Sequence, residues 1–387
     1  MKRIYMDYAA TTPVDPRVRE AMDPYWCEKF GNPASIHSYG QENLEAVEAA
    51  RKNVADLLNA DPSEVVFTSS GTEADNTAIK SAGSALREKG NHIITTAIEH
   101  PAVLRTCEFM ARQGFQVTYL PVGKMGIVDP SDIKKAITKK TVLISIMHAN
   151  NEVGSIQPLS EIGAIAKEKS ILFHTDAVQT FGHLEIDVVK MNIDLLSLSA
   201  HKLYGPKGVG ALYIKKGTPF VPLMHGGSQE NGKRSSTLNV PGIVGLGKAA
   251  EIAQKEMKTE YQKITKLRNR LRDTILKRVD GIHLNGSPDK RLPNNLHISI
   301  ENVEGESLLM NLDLEGIAAS SGSACSSKST EPSHVLTALG LSPEMARGSL
   351  RITLGRFTTE QDVDSVSDAL VRIVHHLRSL SPFGEAP

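Results

Sequence analysis

Short apolar runs alternate with longer helix-like segments between residues 60 and 215. The runs are rich in β-branched residues and several are apolar throughout, which is typical of strands covered on both faces. They are residues 64–68, 92–96, 116–120, 141–146, 171–175, 195–199 and 210–214. Segments long enough for crossover helices separate most of them, at residues 75–89, 102–113 and 159–169. The alternation predicts an α/β fold with a mainly parallel, doubly wound sheet.

A different pattern follows the sheet region. Over residues 250–279, apolar positions recur mostly at three- and four-residue intervals, and Asp280-Gly281 ends the pattern. This spacing predicts a long amphipathic helix that connects two domains. Further strands are predicted at 295–300, 316–320 and 350–354, and further helices at 305–312 and 360–380. We predict a large domain over residues 15–259 and a smaller α+β domain formed by residues 1–14 and 260–387.

Composition narrows the class of protein. The chain of 387 residues exceeds what one hydrophobic core usually supports, and its 44 basic side chains balance its 44 acidic ones. A net charge of zero gives no electrostatic case for binding nucleic acid or an anionic membrane. No apolar run approaches the ~20 residues of a membrane span, and no signal-peptide core follows Met1. We therefore expect a cytoplasmic protein.

The three cysteines, Cys27, Cys107 and Cys325, are widely spaced. An odd, scattered set forms neither a disulfide framework nor a zinc module, so we predict no metal site. Cys325 lies in the small, polar run 320–328. A free cysteine is usually a buried small hydrophobe, but this run has no apolar neighbours and favours an accessible thiol. Lys328 nearby favours the thiolate.

Polar motifs follow five of the predicted strands. Each has an ordinary interpretation as a helix cap, a turn, a surface histidine or a solvated lysine. The motifs are residues 69–74, 99–101, 150–152, 174–179 and 199–202. Open α/β sheets bind ligands at the carboxyl ends of their strands, and all five motifs fall there. Independent ordinary roles explain this joint placement poorly, so we predict one site at this edge.

The pair Asp176 and Lys202 indicates which ligand this site binds. Pyridoxal phosphate needs an amine for a Schiff base and a carboxylate that keeps its pyridine nitrogen protonated. Gly71 and Thr72 open a helix whose free N–H groups can bind the phosphate, and Ser199 and His201 can also donate to it. The pairing predicts that Lys202 carries the cofactor and that Asp176 makes its ring an electron sink.

Arg351 and a glycine-rich segment each have two possible interpretations. Arg351 lies in a strand-like run, where an inward guanidinium needs an anion, either a substrate carboxylate or a structural ion-pair partner. The glycine-rich segment 226–237 is either an anion-binding loop or an interdomain linker.

Several segments together resemble the signature segments of a known family. They are residues 7–13, 30–35, 68–76, 199–205 and 321–326. These segments resemble those of cysteine desulfurases of the NifS/IscS group, which have pyridoxal 5′-phosphate on a fold-type I scaffold. The resemblance runs from about Arg3 to Pro382. It departs from the family at Asn231, where arginine is frequent, and at Ser228 and Ser236, where glycine is frequent, which affects the phosphate loop.

The resemblance implies a role for each candidate residue. Lys202 bonds to the cofactor aldehyde, Asp176 pairs with the pyridine nitrogen, Gln179 contacts the ring oxygen and His100 stacks on the ring. The phosphate is bound by Gly71, Thr72, Ser199, His201 and Thr237 of the partner subunit, which implies a homodimer. Asn151 and Arg351 bind the carboxylate of L-cysteine, and Cys325 is the nucleophile.

The resemblance also implies the reaction. Lys202 removes the α-proton of L-cysteine, His100 moves protons, and Cys325 takes the sulfur as a persulfide, leaving L-alanine. The sulfur then passes to an acceptor, by resemblance an iron–sulfur scaffold protein, with tRNA thiolation as an alternative. A selenocysteine lyase on the same scaffold is the nearest rival. An aminotransferase has no need of Cys325, and a non-catalytic sulfur carrier has no need of Lys202.

Overall fold

The computed structural model describes residues 3–322 and 332–380. The strands in this part of the chain are β1 (Ile4–Tyr5), β2 (Val65–Thr68), β3 (His92–Thr96), β4 (Gln116–Leu120), β5 (Thr141–Ser145), β6 (Leu172–Asp176), β7 (Leu195–Ser199), β8 (Gly210–Ile214), β9 (Ile282–Leu284), β10 (Asn295–Ile300), β11 (Ile317–Ala318) and β12 (Ser349–Thr353). The α-helices there are α1 (Pro16–Met22), α2 (Pro24–Cys27), α3 (Ser38–Leu58), α4 (Gly71–Ala85), α5 (Pro101–Arg112), α6 (Pro130–Ala136), α7 (Leu159–Glu168), α8 (Val240–Arg278), α9 (Gly305–Leu314), α10 (His334–Ala338), α11 (Pro343–Arg347) and α12 (Glu360–Leu380).

The largest sheet has seven strands in the order β2-β8-β7-β6-β5-β3-β4. The five strands from β7 to β4 in this order are parallel. β8 is antiparallel to both of its neighbours, so β2 points the same way as β7. The predicted α/β fold with a mainly parallel sheet is therefore confirmed.

Both faces of this sheet are buried, as the continuous apolar runs predict. Successive residues of one strand enter different cores, because side chains alternate across a strand. Ile93 packs in the core that includes α4 and α5, and its neighbour Ile94 packs in the core that includes α3 and the first half of α8. Leu195 likewise packs in the core with α4 and α5, and Leu196 packs in the core with α3. This is the doubly wound arrangement.

A smaller sheet has the strand order β12-β10-β9, with antiparallel pairing throughout. Its core contains Ile298 and Ile352, together with Leu271 of α8 and Leu370 of α12. α8 thus contributes to two cores, with its first half on the large sheet and its second half on the small one. The domain boundaries at residues 15 and 260 remain a prediction.

α8 begins at Val240, whereas the amphipathic pattern predicted a helix from residue 250. The first turns of α8 do not show the amphipathic pattern, because they pack closely against α3. A Cβ on Gly247 would lie 2.4 Å from the Cα of Ala50, so small residues replace the usual apolar stripe here. Pro241 occupies the first turn, where no N–H is needed, and the side chain of Asn239 caps the helix. α4 begins at Gly71, the helix start that the motif 69–74 predicted.

The segment 4–12 connects the two sheets. β1 pairs in parallel with β11, and the N–H of Thr353 donates to the carbonyl oxygen of Met6 at 2.8 Å. The segment then reaches the large sheet, where the N–H of Thr12 donates to the carbonyl oxygen of His201 at 3.0 Å. Within residues 3–322 and 332–380, no helix is both long and apolar enough to cross a membrane.

Candidate active site

Polar residues follow β2, β3, β5, β6 and β7 at one edge of the large sheet. A cavity of about 230 Å³ lies between this edge, residues Ala9 and Ala10, and β12. The predicted site residues that line it are Gly71, Thr72, His100, Asn151, Asp176, Gln179, Ser199, His201, Lys202 and Arg351. The structure thus brings together residues from five strand ends and from the smaller sheet.

Lys202 ends a single 3-10 turn directly after β7. Its Nζ donates to the carbonyl oxygen of Ala9 at 2.6 Å and to that of Ala10 at 2.7 Å. Tyr204, two residues after the lysine, has a positive φ of 60°, so the chain makes a sharp turn here. The amine is therefore directed into the cavity by a sharp turn and by two carbonyl groups from the segment 4–12.

Asp176 is the last residue of β6 and is 7% exposed. Its Oδ1 accepts the N–H of Val178 at 2.9 Å. Burial raises the pKa of this carboxyl, while His100 and Lys202 act in the opposite direction. A buried carboxylate gains from a cationic partner, and a protonated pyridine nitrogen is one.

The amino end of α4 forms a cradle at another side of the cavity. Ser70 caps the helix by accepting the N–H of Glu73, and the first-turn N–H groups of Gly71 and Thr72 have no partner within the helix. A Cβ on Gly71 would lie 2.6 Å from Cγ2 of Val178, so only glycine fits this position without displacement. Helix amino ends of this kind attract anions such as phosphate.

Two more polar side chains line the same side. Ser199 ends β7, and the Nδ1 of His201 contacts Oγ1 of Thr11 at 3.1 Å. Burial and the neighbouring Lys202 lower the pKa of His201 to about 4. His201 is therefore neutral at physiological pH and can donate a hydrogen bond without contributing a charge.

His100 is the N-cap residue of α5. Its Nδ1 accepts the N–H of Ala102 at 3.1 Å, so the neutral ring carries its proton on Nε2. Burial lowers the pKa of His100, as do Lys202 and His334, while Asp176 raises it. The neutral tautomer with Nε2–H is thus the resting form of this side chain.

Arg351 forms the structural ion pair that was one of its two predicted interpretations, and the substrate contact remains a prediction. Its Nη2 donates to Oδ1 of Asp7 at 2.9 Å, which is the structural ion pair, and its Nη1 donates to the carbonyl oxygen of Asn151 at 3.1 Å. The side chain is buried, and its Nε has no hydrogen-bond partner among residues 3–322 and 332–380. One donor of a buried guanidinium beside the cavity is therefore available for an anion.

Asn150 and Asn151 are adjacent in sequence but have different surroundings. Asn150 builds the turn after β5, because its Nδ2 donates to the carbonyl oxygen of Ile98 and its Oδ1 accepts the N–H groups of Glu152 and Val153. Asn151 lines the cavity instead. Gln179 lines it too, with Nε2 donating to the carbonyl oxygen of Ala9 at 3.1 Å.

Two predicted residues are not among those described around the cavity. Thr237 is exposed and lies outside the cavity of its own chain. Cys325 falls in residues 323–331, outside the described part of the chain. Of the other cysteines, Cys27 is exposed and Cys107 is buried, and burial raises the pKa of Cys107 to about 12.

Sequence reasoning missed two contributors. The first is the backbone at Ala9 and Ala10, whose carbonyl groups carry no sequence signal. The second is Asp75, a carboxyl on the buried face of α4 that lines the cavity. Its signal is present: Asp75 and Ile79 are four residues apart, so an acidic residue lies in the apolar stripe of a predicted helix.

The residues present fit pyridoxal 5′-phosphate. The amine of Lys202, the buried carboxyl of Asp176 and the cradle at Gly71 lie around one cavity, and each matches a different group of that cofactor. Asp75, His100 and Asp176 also present possible ligand atoms within 4.8 Å of one another.

Comparison with known proteins identifies the family. Residues 4–366 match the family model described as aminotransferase class-V. The chain is 55% identical to a cysteine desulfurase IscS of Dictyoglomus turgidum, over 99% of this chain and 98% of that protein. It is 56% identical to a cysteine desulfurase IscS of Methanosarcina thermophila, over 98% of this chain and 94% of that protein.

Solved structures give the same family. A NifS-like protein superposes with a TM-score of 0.91 at 41% identity, covering 97% of this chain and all 100% of the other. A structure of SspA in complex with cysteine superposes with a TM-score of 0.80 at 41% identity, covering 92% and 100%. The predicted family, fold and cofactor are confirmed: the chain belongs to the aminotransferase class-V family and, within it, to the pyridoxal 5′-phosphate-dependent cysteine desulfurases.

Proposed function

We propose that this enzyme removes the sulfur of L-cysteine as a persulfide on Cys325, releases L-alanine and passes the sulfur to an acceptor. One observation supports this more than any other. The Lys202 amine, the Asp176 carboxyl and the buried guanidinium of Arg351 line a single cavity. This set matches an amino acid bound through its carboxylate beside an imine-forming cofactor.

Bound in this cavity, pyridoxal 5′-phosphate supplies an aldehyde for imine formation and a protonated ring that accepts the electrons released at the substrate α-carbon. Asp176 would hold the ring nitrogen in its protonated form, and Gln179 would donate to the ring oxygen. Gly71, Thr72, Ser199 and His201 would bind the phosphate, with no side-chain charge among them. The helix amino end therefore supplies much of the attraction for the phosphate.

Thr237 of the partner subunit is proposed to complete the phosphate site in a homodimer. The exposure of Thr237 and its absence from the cavity of its own chain support this assignment. A mixture of Lys202→Ala and Thr237→Ala subunits tests it. Reassembled mixed dimers contain one site with both residues intact, so activity should return on mixing. Two inactive proteins that stay inactive after subunit exchange would contradict a shared site.

The substrate carboxylate is assigned to Asn151 and Arg351. Arg351 uses one of the two N–H groups on each of Nη1 and Nη2 for these contacts, and its Nε has no partner among the described residues, so the guanidinium keeps donors for the substrate. The ion pair with Asp7 holds the guanidinium in place and leaves its orientation fixed before substrate arrives. This arrangement favours α-amino acids over amines that have no carboxylate.

Proton movements are assigned to Lys202 and His100. Nζ of Lys202 takes the α-proton once the amine is released, and the carbonyl groups of Ala9 and Ala10 hold it near the cavity. His100 donates and recovers the proton on Nε2, because its Nδ1 is occupied by the N–H of Ala102. Its lowered pKa keeps it neutral in the resting enzyme.

The sulfur step is assigned to Cys325. Its thiolate attacks the substrate sulfur, an S–S bond forms, and the C–S bond breaks with its electron pair left on the substrate carbon. A proton then completes the methyl group of alanine. Mass spectrometry of the enzyme after addition of L-cysteine tests this assignment. We expect one added sulfur on Cys325, and Cys325→Ala should bind the cofactor yet form no persulfide.

Cys27→Ala is the matched control, because Cys27 is the exposed cysteine in the described part of the chain. Cys27→Ala should retain alanine production, whereas Cys325→Ala should lose it. Undiminished alanine production by Cys325→Ala would refute the assigned nucleophile. Turnover of L-selenocysteine against L-cysteine decides between a desulfurase and a selenocysteine lyase.

The acceptor is proposed to be an iron–sulfur scaffold protein, and tRNA thiolation is the alternative destination of the sulfur. The mixed disulfide formed by Cys325 in a cell extract, identified by mass spectrometry, distinguishes the two. We place the enzyme in the cytoplasm, because a persulfide cycle needs a compartment that keeps Cys325 reduced. Cell fractionation with activity measured in each fraction tests this location.

A further inference from the structure

A second buried carboxyl lies beside Asp176. Asp75 is on α4, its side chain is 2% exposed, and it lines the cavity. One possible ligand atom of Asp75, one of His100 and one of Asp176 all lie within 4.8 Å of one another. Two carboxyl groups at this separation in a buried site strongly disfavour double ionisation, as in paired catalytic carboxylates. One of the two therefore retains a proton.

The sheet places a row of hydrogen-bonding side chains against Asp75. Ser145 is opposite His174, and Asp176 is opposite Ser197, so the alternation of side chains puts all four on the face that α4 covers. The ring nitrogens of His174 contact Oγ of Ser145 at 2.8 Å and Oγ of Ser197 at 3.0 Å. The Ser197 hydroxyl also hydrogen-bonds Asp75.

His174 does not neutralise Asp75. The Nε2 of His174 lies 3.6 Å from Oδ1 of Asp75, and burial lowers the pKa of His174 to about 3, so the ring is neutral. Throughout residues 3–322 and 332–380, no group hydrogen-bonds Oδ1 of Asp75. A negative charge on that oxygen would have no compensation, which makes Asp75 the carboxyl that retains the proton.

The charged and titratable groups around the two carboxyls also favour a proton on Asp75 and a negative charge on Asp176. Burial raises the pKa of Asp75, as do Asp176 and Glu99, and together they outweigh the hydrogen bond from Ser197, which lowers it. Asp176 has a backbone N–H donor, and His100 and Lys202 both favour its ionised form. The titratable groups that face Asp75 and Asp176 are His174 from β6, Glu99 and His100 from the β3–α5 connection, and Lys202 from the turn after β7.

We propose that Asp75 is a positioning residue for the cofactor ring, a neutral carboxylic acid that leaves Asp176 as the one anion facing the pyridine nitrogen. Ser197 and His174 hold Asp75 in place through the hydrogen-bonded row. One negative charge then faces one pyridinium charge. This proposal rests on the cofactor-binding role of Asp176 given above.

Four variants test the proposal: Asp75→Asn, Asp75→Ala, Asp176→Asn and the exposed control Asp289→Asn. Asparagine imitates a protonated aspartic acid in shape and hydrogen bonding. Asp75→Asn should therefore keep the cofactor dissociation constant and the pH midpoint of the cofactor's visible absorbance equal to those of the wild type and Asp289→Asn. Asp75→Ala should weaken cofactor binding about fivefold, because it removes the carboxyl beside Asp176 together with its hydrogen bond to Ser197.

A shift of the absorbance midpoint by about one pH unit in Asp75→Asn would overturn the proposal, because it would mean that Asp75 contributes a charge. Unchanged cofactor affinity in Asp75→Ala would equally overturn it. Asp176→Asn distinguishes a failure of the role given to Asp176 from a failure of the role given to Asp75. If that variant retains the cofactor affinity and spectrum of the wild type, the role given to Asp176 fails, whatever the Asp75 variants do.

The cofactor-free enzyme gives an independent measurement. Its folded state keeps a proton on Asp75 that the unfolded state loses near pH 4, so thermal stability falls as pH rises. Asp75→Asn removes this group and should make the melting temperature less dependent on pH between pH 6 and 8. An unchanged pH dependence would show that Asp75 does not hold the proton.

Discussion

The cradle at the start of α4 predicts a strong effect from one added methyl group. In Gly71→Ala, the new Cβ would lie 2.6 Å from Cγ2 of Val178, well inside van der Waals contact. Val178 cannot rotate away easily, because its β-branched side chain has few rotamers and its N–H donates to Asp176. Overpacking of this kind costs about 1–3 kcal/mol. Alanine recovers at most about 1 kcal/mol through its better helix propensity.

We therefore expect Gly71→Ala to destabilise the enzyme by up to about 2 kcal/mol, the overpacking cost less the gain in helix propensity. Cofactor affinity should fall as well, because relief of the contact moves either the phosphate-binding N–H groups or the partner of Asp176. The assays are urea denaturation of the cofactor-free enzyme and titration of it with pyridoxal 5′-phosphate, followed by visible absorbance.

Gly123→Ala is the matched control for this variant. A Cβ on Gly123 meets no described atom within 4 Å, so the same substitution there carries no contact penalty. Adding Val178→Ala to Gly71→Ala removes the colliding methyl group and should restore part of the cofactor affinity, which a double-mutant cycle measures. Equal stability and equal cofactor affinity for Gly71→Ala and Gly123→Ala would refute the steric reasoning.

Three further predictions concern strain, substrate binding and pH. Ser236 has a φ of 138°, so Ser236→Gly should relieve about 1–3 kcal/mol of strain and raise the melting temperature despite the extra freedom of glycine in the unfolded chain; a lower melting temperature would contradict this. Arg351→Lys should raise the KM for L-cysteine about tenfold or more, through loss of a charge-assisted contact, and leave the cofactor spectrum unchanged; an unaltered KM in steady-state kinetics would remove Arg351 from the substrate site. Burial raises the pKa of Glu99 from 4.5 to about 8, so the folded state binds the extra proton and stability falls as pH rises through this window. Glu99→Gln should flatten that fall in melting experiments at several pH values, and an unchanged slope would show that Glu99 ionises without cost.

The hydrophobic pattern predicted the large sheet well because its strands are buried on both faces. A continuous apolar run such as residues 195–199 has one plausible structure and coincides with β7. The predicted sheet then indicated the position of the active site, since parallel strands bring their carboxyl ends together at one edge. This is why residues as distant in sequence as Gly71 and Lys202 were predicted to share one site.

The hydrophobic pattern did not predict helices whose close packing removes the regular spacing of apolar residues. The first turns of α8 are rich in glycine and alanine because they lie directly against α3, so no apolar stripe marks them. α3 has no counterpart among the predicted elements. The carbonyl groups of Ala9 and Ala10 escaped prediction because any residue type offers the same backbone oxygen. The role of Cys325 remains a prediction, since it lies outside the described residues.

The connection made by the segment 4–12 has a consequence for biosynthesis. A ribosome makes Ala9 and Ala10 long before Lys202, and the strand partners of this segment, β11 and Thr353, emerge later still. A nascent chain that carries the whole seven-stranded sheet therefore still lacks the framework that orients its lysine. Capture of the vitamin-derived coenzyme in its final geometry must wait until translation of the protein is nearly finished.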